Sequence, residues 1–205
     1  MCNEITAYSE ALKCFLQGNP ANMALASGAK LDPQREELEL TYFGRRYTIA
    51  LTDGKINSAG LTEIPFNDRT LILQYLFSTN GLPPRERWQS FLQLPGGMLH
   101  YMPFQNIALN PLAKAFNGKI HLLTEAAKPL GGTPLAMGHT AVQVAALPKV
   151  PLAAVLWDGD DEFPASAQIL FDELASTNLS TAALWVLGCE FAERLMAAVK
   201  GTHLL

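Results

Sequence analysis

The chain has little of what usually announces a chemistry. Only 17% of its 205 residues are charged, and 15 Lys and Arg face 19 Asp and Glu, for a formal net charge of −4. The basic residues do not cluster. Arg45-Arg46 and Arg85-Glu86-Arg87 are the densest spots, and both read as solvated turns. A nucleic-acid footprint needs a basic patch, so nucleic acid is not an expected partner. No apolar run approaches the roughly 20 residues of a membrane helix. Met1-Cys2-Asn3-Glu4 lacks the basic region and apolar core of a secretory signal. A cytoplasmic location is therefore expected, where thiols stay reduced.

Cysteine is scarce too. Cys2, Cys14 and Cys189 are widely spaced and form no Cys-x-x-Cys pair. A site with four thiolates from this chain is excluded by count. Cys189 lies among apolar residues and reads as a core thiol. The four histidines, His100, His121, His139 and His203, form no zinc-binding spacing. There is no Gly-x-Ser-x-Gly, no phosphate loop and no Gly-x-Gly-x-x-Gly; Gly96-Gly97 and Gly131-Gly132 are isolated pairs.

What is present is apolar: 49% of the residues, enough for a sizeable core and for a single domain spanning 1–205. Residues 1–36 read as a helical extension. Its first helix, 5–17, places Ile5, Tyr8, Leu12, Phe15 and Leu16 on one face, and a short second helix, 21–27, is closed by Gly28. Alternation over 38–42 and 47–51 across a short glycine-containing link predicts a β-hairpin. Asn67 or Asp68 is placed to cap a helix reaching Ser78. A strand is expected over 88–94, then helices over 103–116 and 120–128, with Asn110-Pro111 able to split the first of them.

Strands are expected over 141–147, 151–157 and 168–172. The first two are joined by a link too short for anything but antiparallel pairing. The second is a nearly continuous apolar run, as for a strand covered on both faces. Ser180 is placed to cap a last helix, 181–200, closed by Gly201. The expected class is α+β: a mostly antiparallel sheet of about six strands with helices packed on it.

One stretch stands out. Trp88 to Phe104 runs from the expected strand through Pro95-Gly96-Gly97 into Met98, His100, Tyr101, Met102 and Phe104. Such a cluster either lines the core or walls a site for a large flat ligand, because ligand sites are concave and mostly apolar with a few polar anchors. On the second reading Tyr101, Met102 and Phe104 are walls, Gly96 and Gly97 allow close approach, and His100 or His139 is the axial or edge contact. The acidic loop Asp158-Gly159-Asp160-Asp161-Glu162 lacks the spacing of a calcium loop and reads as a solvated turn.

Several segments carry a resemblance. They are Leu94-Pro95-Gly96-Gly97 with Tyr101 and Phe104, Leu130-Gly131-Gly132 with Pro134-Leu135, the run 147–152, and above all Val155-Leu156-Trp157-Asp158-Gly159-Asp160-Asp161-Glu162-Phe163-Pro164 followed by Ile169-Leu170-Phe171-Asp172. Over about 37–198 the chain resembles an uncharacterised family of unknown function found mainly in anaerobic bacteria and archaea. Some of its members begin with a four-cysteine iron–sulfur segment like that of corrinoid/iron–sulfur methyl carriers, which this chain lacks. The resemblance implies a link to corrinoid chemistry, and a corrin or other tetrapyrrole suits an apolar aromatic wall. The cobalt-ligating pattern Asp-x-His-x-x-Gly and the haem-attachment pattern Cys-x-x-Cys-His are absent. A bound corrinoid would thus keep its own lower base, take another ligand, or be held without a protein ligand.

The leading expectation is a protein that binds a small-molecule cofactor, a corrinoid such as cobalamin or another tetrapyrrole, to carry, store or deliver it without catalysis. The alternatives are an interaction module partnering a corrinoid, iron–sulfur or methyl-transfer protein through Trp157 and the acidic loop, and an enzyme using Asp158, Asp160 and Glu162.

Overall fold

The structure, a computed structural model, describes residues 2–199. Lys200, Gly201 and His203 lie outside the described residues, as do the side chains of Cys2 and Ile5. Chain order begins with two helices, α1 (Cys2–Gln17) and α2 (Pro20–Ser27). The Asn19 side chain caps α2, and Gly28 closes it in the left-handed conformation. Ala11, Phe15 and Met23 are buried in the same core cluster as the body of the chain.

A four-stranded antiparallel meander follows: β1 (Lys30–Asp32), β2 (Glu37–Tyr42), β3 (Arg45–Ala50) and β4 (Ile56–Asn57). The expected hairpin is β2–β3, paired from Glu37–Ala50 to Tyr42–Arg45. Its two turn residues, Phe43 (φ 44°) and Gly44 (φ 74°), are both left-handed, the pattern of a type I′ turn that matches strand twist. Phenylalanine in that conformation is strained, by about 1–2 kcal/mol. Three things hold it there. The Phe43 N–H donates to the Ala146 carbonyl, and its ring stacks on Phe191 at 5.9 Å. A Cβ on Gly44 would come within 2.8 Å of the Leu130 backbone, so the turn sits closely against that segment.

Helix α3 (Phe66–Ser78) is capped at Pro65, two or three residues earlier than expected, so Asn67 and Asp68 fall in its first turn rather than at its cap. The second sheet comprises β5 (Trp88–Ser90), β6 (Thr133–Pro134), β7 (Thr140–Leu147), β8 (Val150–Trp157) and β9 (Ser166–Asp172), in the order β5-β9-β8-β7-β6 and antiparallel throughout. Strands β7 and β8 pair as expected, from Thr140–Leu156 to Leu147–Val150. On β8, Leu152, Ala154 and Leu156 face the main core, while Ala153 and Val155 join a small cluster with Ala141, Leu170, Trp88 and Trp157. The strand is thus covered on both faces. The class is α+β as expected, but the strands divide between two sheets, and the unforeseen ones are β1, β4 and β6, each three residues or fewer.

The strand expected over 88–94 stops at Ser90. Ser90 and Gln93 form a capping box that turns 91–93 into a 3-10 helix. After Gly96 (φ 72°) the chain winds through a second 3-10 turn, 97–100, into α4 (Tyr101–Phe104), a π-helical stretch over 105–109 and α5 (Asn110–Phe116). The proline that threatened to split this helix, Pro111, comes one residue after the π turn. Proline cannot donate to the helical ladder, and the wider π spacing before it absorbs the fault. Short helix α6 (Leu123–Ala127) lies between 3-10 turns over 120–122 and 128–130. Short α7 (Ala175–Asn178) leads to α8 (Thr181–Val199). Ser180 caps α8 from its side chain to Ala183, and Leu184, Leu187, Phe191 and Leu195 are buried.

The two central glycines differ. A methyl at Gly97 would overlap the Phe91 carbonyl oxygen, whereas one at Gly96 would meet open space and only the cost of a positive φ. Gly97→Ala is therefore expected to destabilise by about 3 kcal/mol and Gly96→Ala by about 1 kcal/mol. Urea denaturation of the two variants checks the order, and equal losses would show that the Phe91 contact relaxes freely.

Candidate functional site

The residues singled out in the central stretch separate into two groups. Phe104 is fully buried, stacked on Phe91 with centroids 4.6 Å apart and tilted against Phe171. The space at Gly97 is taken by Phe91. Both act inside the fold, and neither offers a ligand open surface. Gly96 stands exposed at its turn. Tyr101 is half-buried against the core. Met98, Leu99 and Met102 are 77%, 81% and 62% exposed, a concentration of free apolar surface on one short segment. His100, beside them, is exposed, and its imidazole has no hydrogen bond to a described residue.

His139 is not brought to this place. It sits where β7 begins, its backbone N–H donating to the Leu156 carbonyl and its Nδ1 accepting from the Asp158 N–H at 3.0 Å. That role is structural: it fastens the acidic loop to the sheet. Within the loop, Asp158 accepts from Gly118 N–H, and Asp160 accepts from the N–H groups of Glu162 and Phe163, which hold its carboxyl below the usual range. The Asp158 and Asp160 carboxylates thus face backbone amides. No group of three or more His, Cys, Asp or Glu able to hold a metal occurs among the described residues.

His100 and Pro103 form one rim of a groove of about 500 Å³ between the N-terminal half of α3 and the first turns of α8. Phe66, Leu71, Trp185 and Val186 supply its apolar walls, and Asn67, Gln74 and Ser180 its polar points. The size suits a small-molecule site. The Trp185 Nε1 at its wall is enclosed and has no partner among the described residues.

A second cavity, of about 600 Å³, lies behind the first turn of α3, against the β2–β3 turn, α6 and the far half of α8. Sequence reasoning missed it. At its base Arg194 donates from Nη2 to both Asp68 oxygens, at 2.7 and 2.8 Å, and from Nη1 to the Glu190 carboxylate. Tyr42 donates to Asp68 at 3.0 Å, and Asn67 donates to Glu190 at 2.8 Å. The guanidinium also lies over the Phe43 ring, 4.8 Å from its centroid, and the Tyr42 ring at 5.4 Å. Burial raises the Asp68 pKa, and Arg194 pulls against it without cancelling it. Burial opposes the Arg194 charge, but Tyr42, Asp68 and Glu190 outweigh it and hold the group ionised. Burial, then Asp68, pushes Tyr47 up to about 12. Buried ion-pair networks shift their members in this way, as functional sites do.

One signal for this network is visible in the sequence. Arg194 follows Leu187 by seven residues and Phe191 by three, so it falls on the apolar stripe of α8. A charge there needs a buried partner. That the partner is Asp68, 126 residues away, no local pattern reveals.

Removing one partner of a buried ion pair strands the other. Arg194→Met is expected to lower the unfolding free energy by about 3–5 kcal/mol. The double variant Asp68→Asn with Arg194→Met should lose less than the two single variants summed, as urea denaturation followed by circular dichroism would report. Strict additivity would mean that the pair is screened by solvent. On the same helix, burial and then Glu190 and Glu193 push the Cys189 thiol up to about 12. It should remain a thiol at pH 8 and alkylate far more slowly with iodoacetamide than an unstructured cysteine peptide, as peptide mass mapping would show.

No curated protein and no solved structure matches the chain. A family model described as "Domain of unknown function (DUF3786)" matches residues 19–194, from the cap of α2 to Arg194 itself. The matched span holds the acidic loop and most of the lining of the groove and the charged cavity, and the chain belongs to that family, a domain of unknown function.

Proposed function

We propose that the chain is a binding protein for a small-molecule cofactor of tetrapyrrole type, a corrinoid such as cobalamin, which it carries, stores or delivers. The observation behind this reading is His100. It is an exposed imidazole without a hydrogen-bond partner among the described residues, at the rim of an apolar groove and flanked by exposed Met98, Leu99 and Met102. A free imidazole nitrogen is a ligand for iron or cobalt. Exposed apolar surface concentrated in one place marks a binding site. A flat macrocycle would set one edge in the groove, between Phe66 and Trp185, and rest a face on Leu99 and Met102. Gly97, Phe104 and His139 play no contact role in this arrangement. The implied setting is the cytoplasm of an anaerobe, with a corrinoid or iron–sulfur protein receiving the cofactor.

A second reading, an interaction module for such a protein, draws on the acidic loop. Phe163 at its end is 68% exposed beside Asp160, Asp161 and Glu162, a surface suited to a basic partner patch.

Titration of the purified protein with aquocobalamin, reduced cobalamin and haem, followed by absorbance, tests the first reading. Saturable binding is expected. Leu99→Glu with Met102→Glu, both on exposed positions, should weaken it at least tenfold, equivalent to about 1.4 kcal/mol. His100→Ala should abolish any spectral sign of imidazole ligation while leaving the melting temperature unchanged. An absence of saturable binding to all three below about millimolar removes the tetrapyrrole reading and leaves the interaction module.

A further inference from the structure

The cavity at the base of α8 plays no part in the reading above, and its free groups differ from those of the groove. Most of its charges are spent. Arg194 holds Asp68 and Glu190, and Lys128 outside the lining pairs with Glu125. Two lining charges have no hydrogen-bond or ion-pair partner among the described residues: Arg45, half-buried on β3, and Glu193, exposed near the end of α8. They are opposite in sign and do not pair with each other. A lone cation or a lone anion would satisfy one and leave the other, whereas a ligand carrying both charges would satisfy both.

An independent observation lies beside Arg45. Tyr47 is only 4% exposed, yet its hydroxyl has no hydrogen-bond partner among the described residues. Nor is that oxygen among the enclosed buried atoms, so it opens on the cavity it lines. A buried hydroxyl is normally satisfied by protein or water. Tyr42, whose ring centroid lies 5.8 Å away, spends its own hydroxyl on Asp68. Burial, then Asp68, keeps the proton on Tyr47 up to about 12, so its hydroxyl is available as a donor. Residues two apart on a strand share a face, so Arg45 and Tyr47 present their donors side by side. A guanidinium grips a carboxylate through two parallel hydrogen bonds, and the hydroxyl adds a third. On the facing helix the free group is an acceptor, the Glu193 carboxylate, suited to an ammonium. Leu122, Leu130 and Val199 supply an aliphatic wall.

We propose that this cavity is a second binding site, independent of the groove, and that it takes the zwitterion of an aliphatic α-amino acid. The carboxylate sits on Arg45 and Tyr47, the ammonium turns to Glu193, and the side chain lies against Leu122 and Leu130. The ligand is neutral overall and leaves the charge balance of the cavity as it stands. Each of its charges meets a free group of opposite sign, and its hydrocarbon gains by apolar burial. The Asp68–Arg194–Glu190 network takes no part in holding it.

Isothermal titration of the full chain with three probes of one carbon count, norleucine, hexanoate and hexylammonium, tests the assignment by charge alone. Norleucine is expected to bind saturably at one site. Hexanoate, which lacks the ammonium, and hexylammonium, which lacks the carboxylate, should each bind at least tenfold more weakly. Arg45, Tyr47 and Glu193 have no internal side-chain partner to lose, so Arg45→Gln, Tyr47→Phe and Glu193→Gln should keep the wild-type melting temperature. Tyr47→Phe should lower the affinity for norleucine about tenfold, the worth of a hydrogen bond to a charged group, and Arg45→Gln should lower it further. Glu193→Gln should bring norleucine down to the affinity of hexanoate without weakening hexanoate itself. Leu99→Glu with Met102→Glu should leave norleucine affinity untouched, which separates this site from the groove. The assignment is overturned if norleucine does not saturate, if either singly charged probe binds as well as norleucine, or if Tyr47→Phe or Glu193→Gln binds norleucine like the wild type.

Discussion

The interaction on which most of this fold depends is the burial of one positive charge, Arg194. Its guanidinium touches four elements: Asp68 on α3, Glu190 one turn back on α8, the Tyr42 ring at the end of β2 and the Phe43 ring in the following turn. Such a charge is tolerated only when every partner is in place. The strained backbone of Phe43 follows from this requirement. The left-handed turn brings its ring between Arg194 and Phe191, and the backbone N–H of the same residue joins the first sheet to the second at Ala146. One costly conformation thus serves an aromatic stack, a cation–π contact and the inter-sheet hydrogen bond.

The same network divides the two cavities. The first turn of α3 presents Asn67 to the apolar groove and Asp68 to the charged cavity, and Asn67 also reaches Glu190. The wall between the apolar groove and the charged cavity is therefore a single helical turn, pinned by hydrogen bonds to Tyr42, Glu190 and Arg194. A shift of this turn in response to a ligand on one side would be felt at the other, because packed interiors transmit displacement rather than absorb it.

The extent to which the sequence was legible follows from the range of each interaction. The α+β class, the β2–β3 hairpin, the antiparallel β7–β8 pair and the Ser180-capped helix rest on neighbours close in sequence, and periodicity and turn residues expose them. The truncation of β5 was also local, but the Ser90–Gln93 capping box lies inside what looks like an apolar strand. Tyr101, Met102 and Phe104 were alike as residue types and could not be told apart: helical phase sends Phe104 into the core against Phe91 and leaves Met102 in solvent. Gly97 was read as room for a ligand, yet the approaching group is the chain's own Phe91 carbonyl. Asp68, read as a helix cap, found a partner 126 residues away, and no rule of spacing reaches that far.

The π turn over 105–109 fixes the phase of everything before it. A turn that closes five residues apart rather than four holds about one residue more than the α-helix around it. Each residue of an α-helix advances the facing direction by about 100°. The extra residue is therefore a rotary offset between α5, whose Leu112 and Phe116 are anchored in the core, and the segment carrying Met98 to Met102. In a chain shortened by one residue here, α5 would keep its place, but His100 would swing by more than a quarter turn, away from the groove. Length at this point, together with the anchoring of Phe104 on Phe91, decides which faces of 98–102 meet solvent.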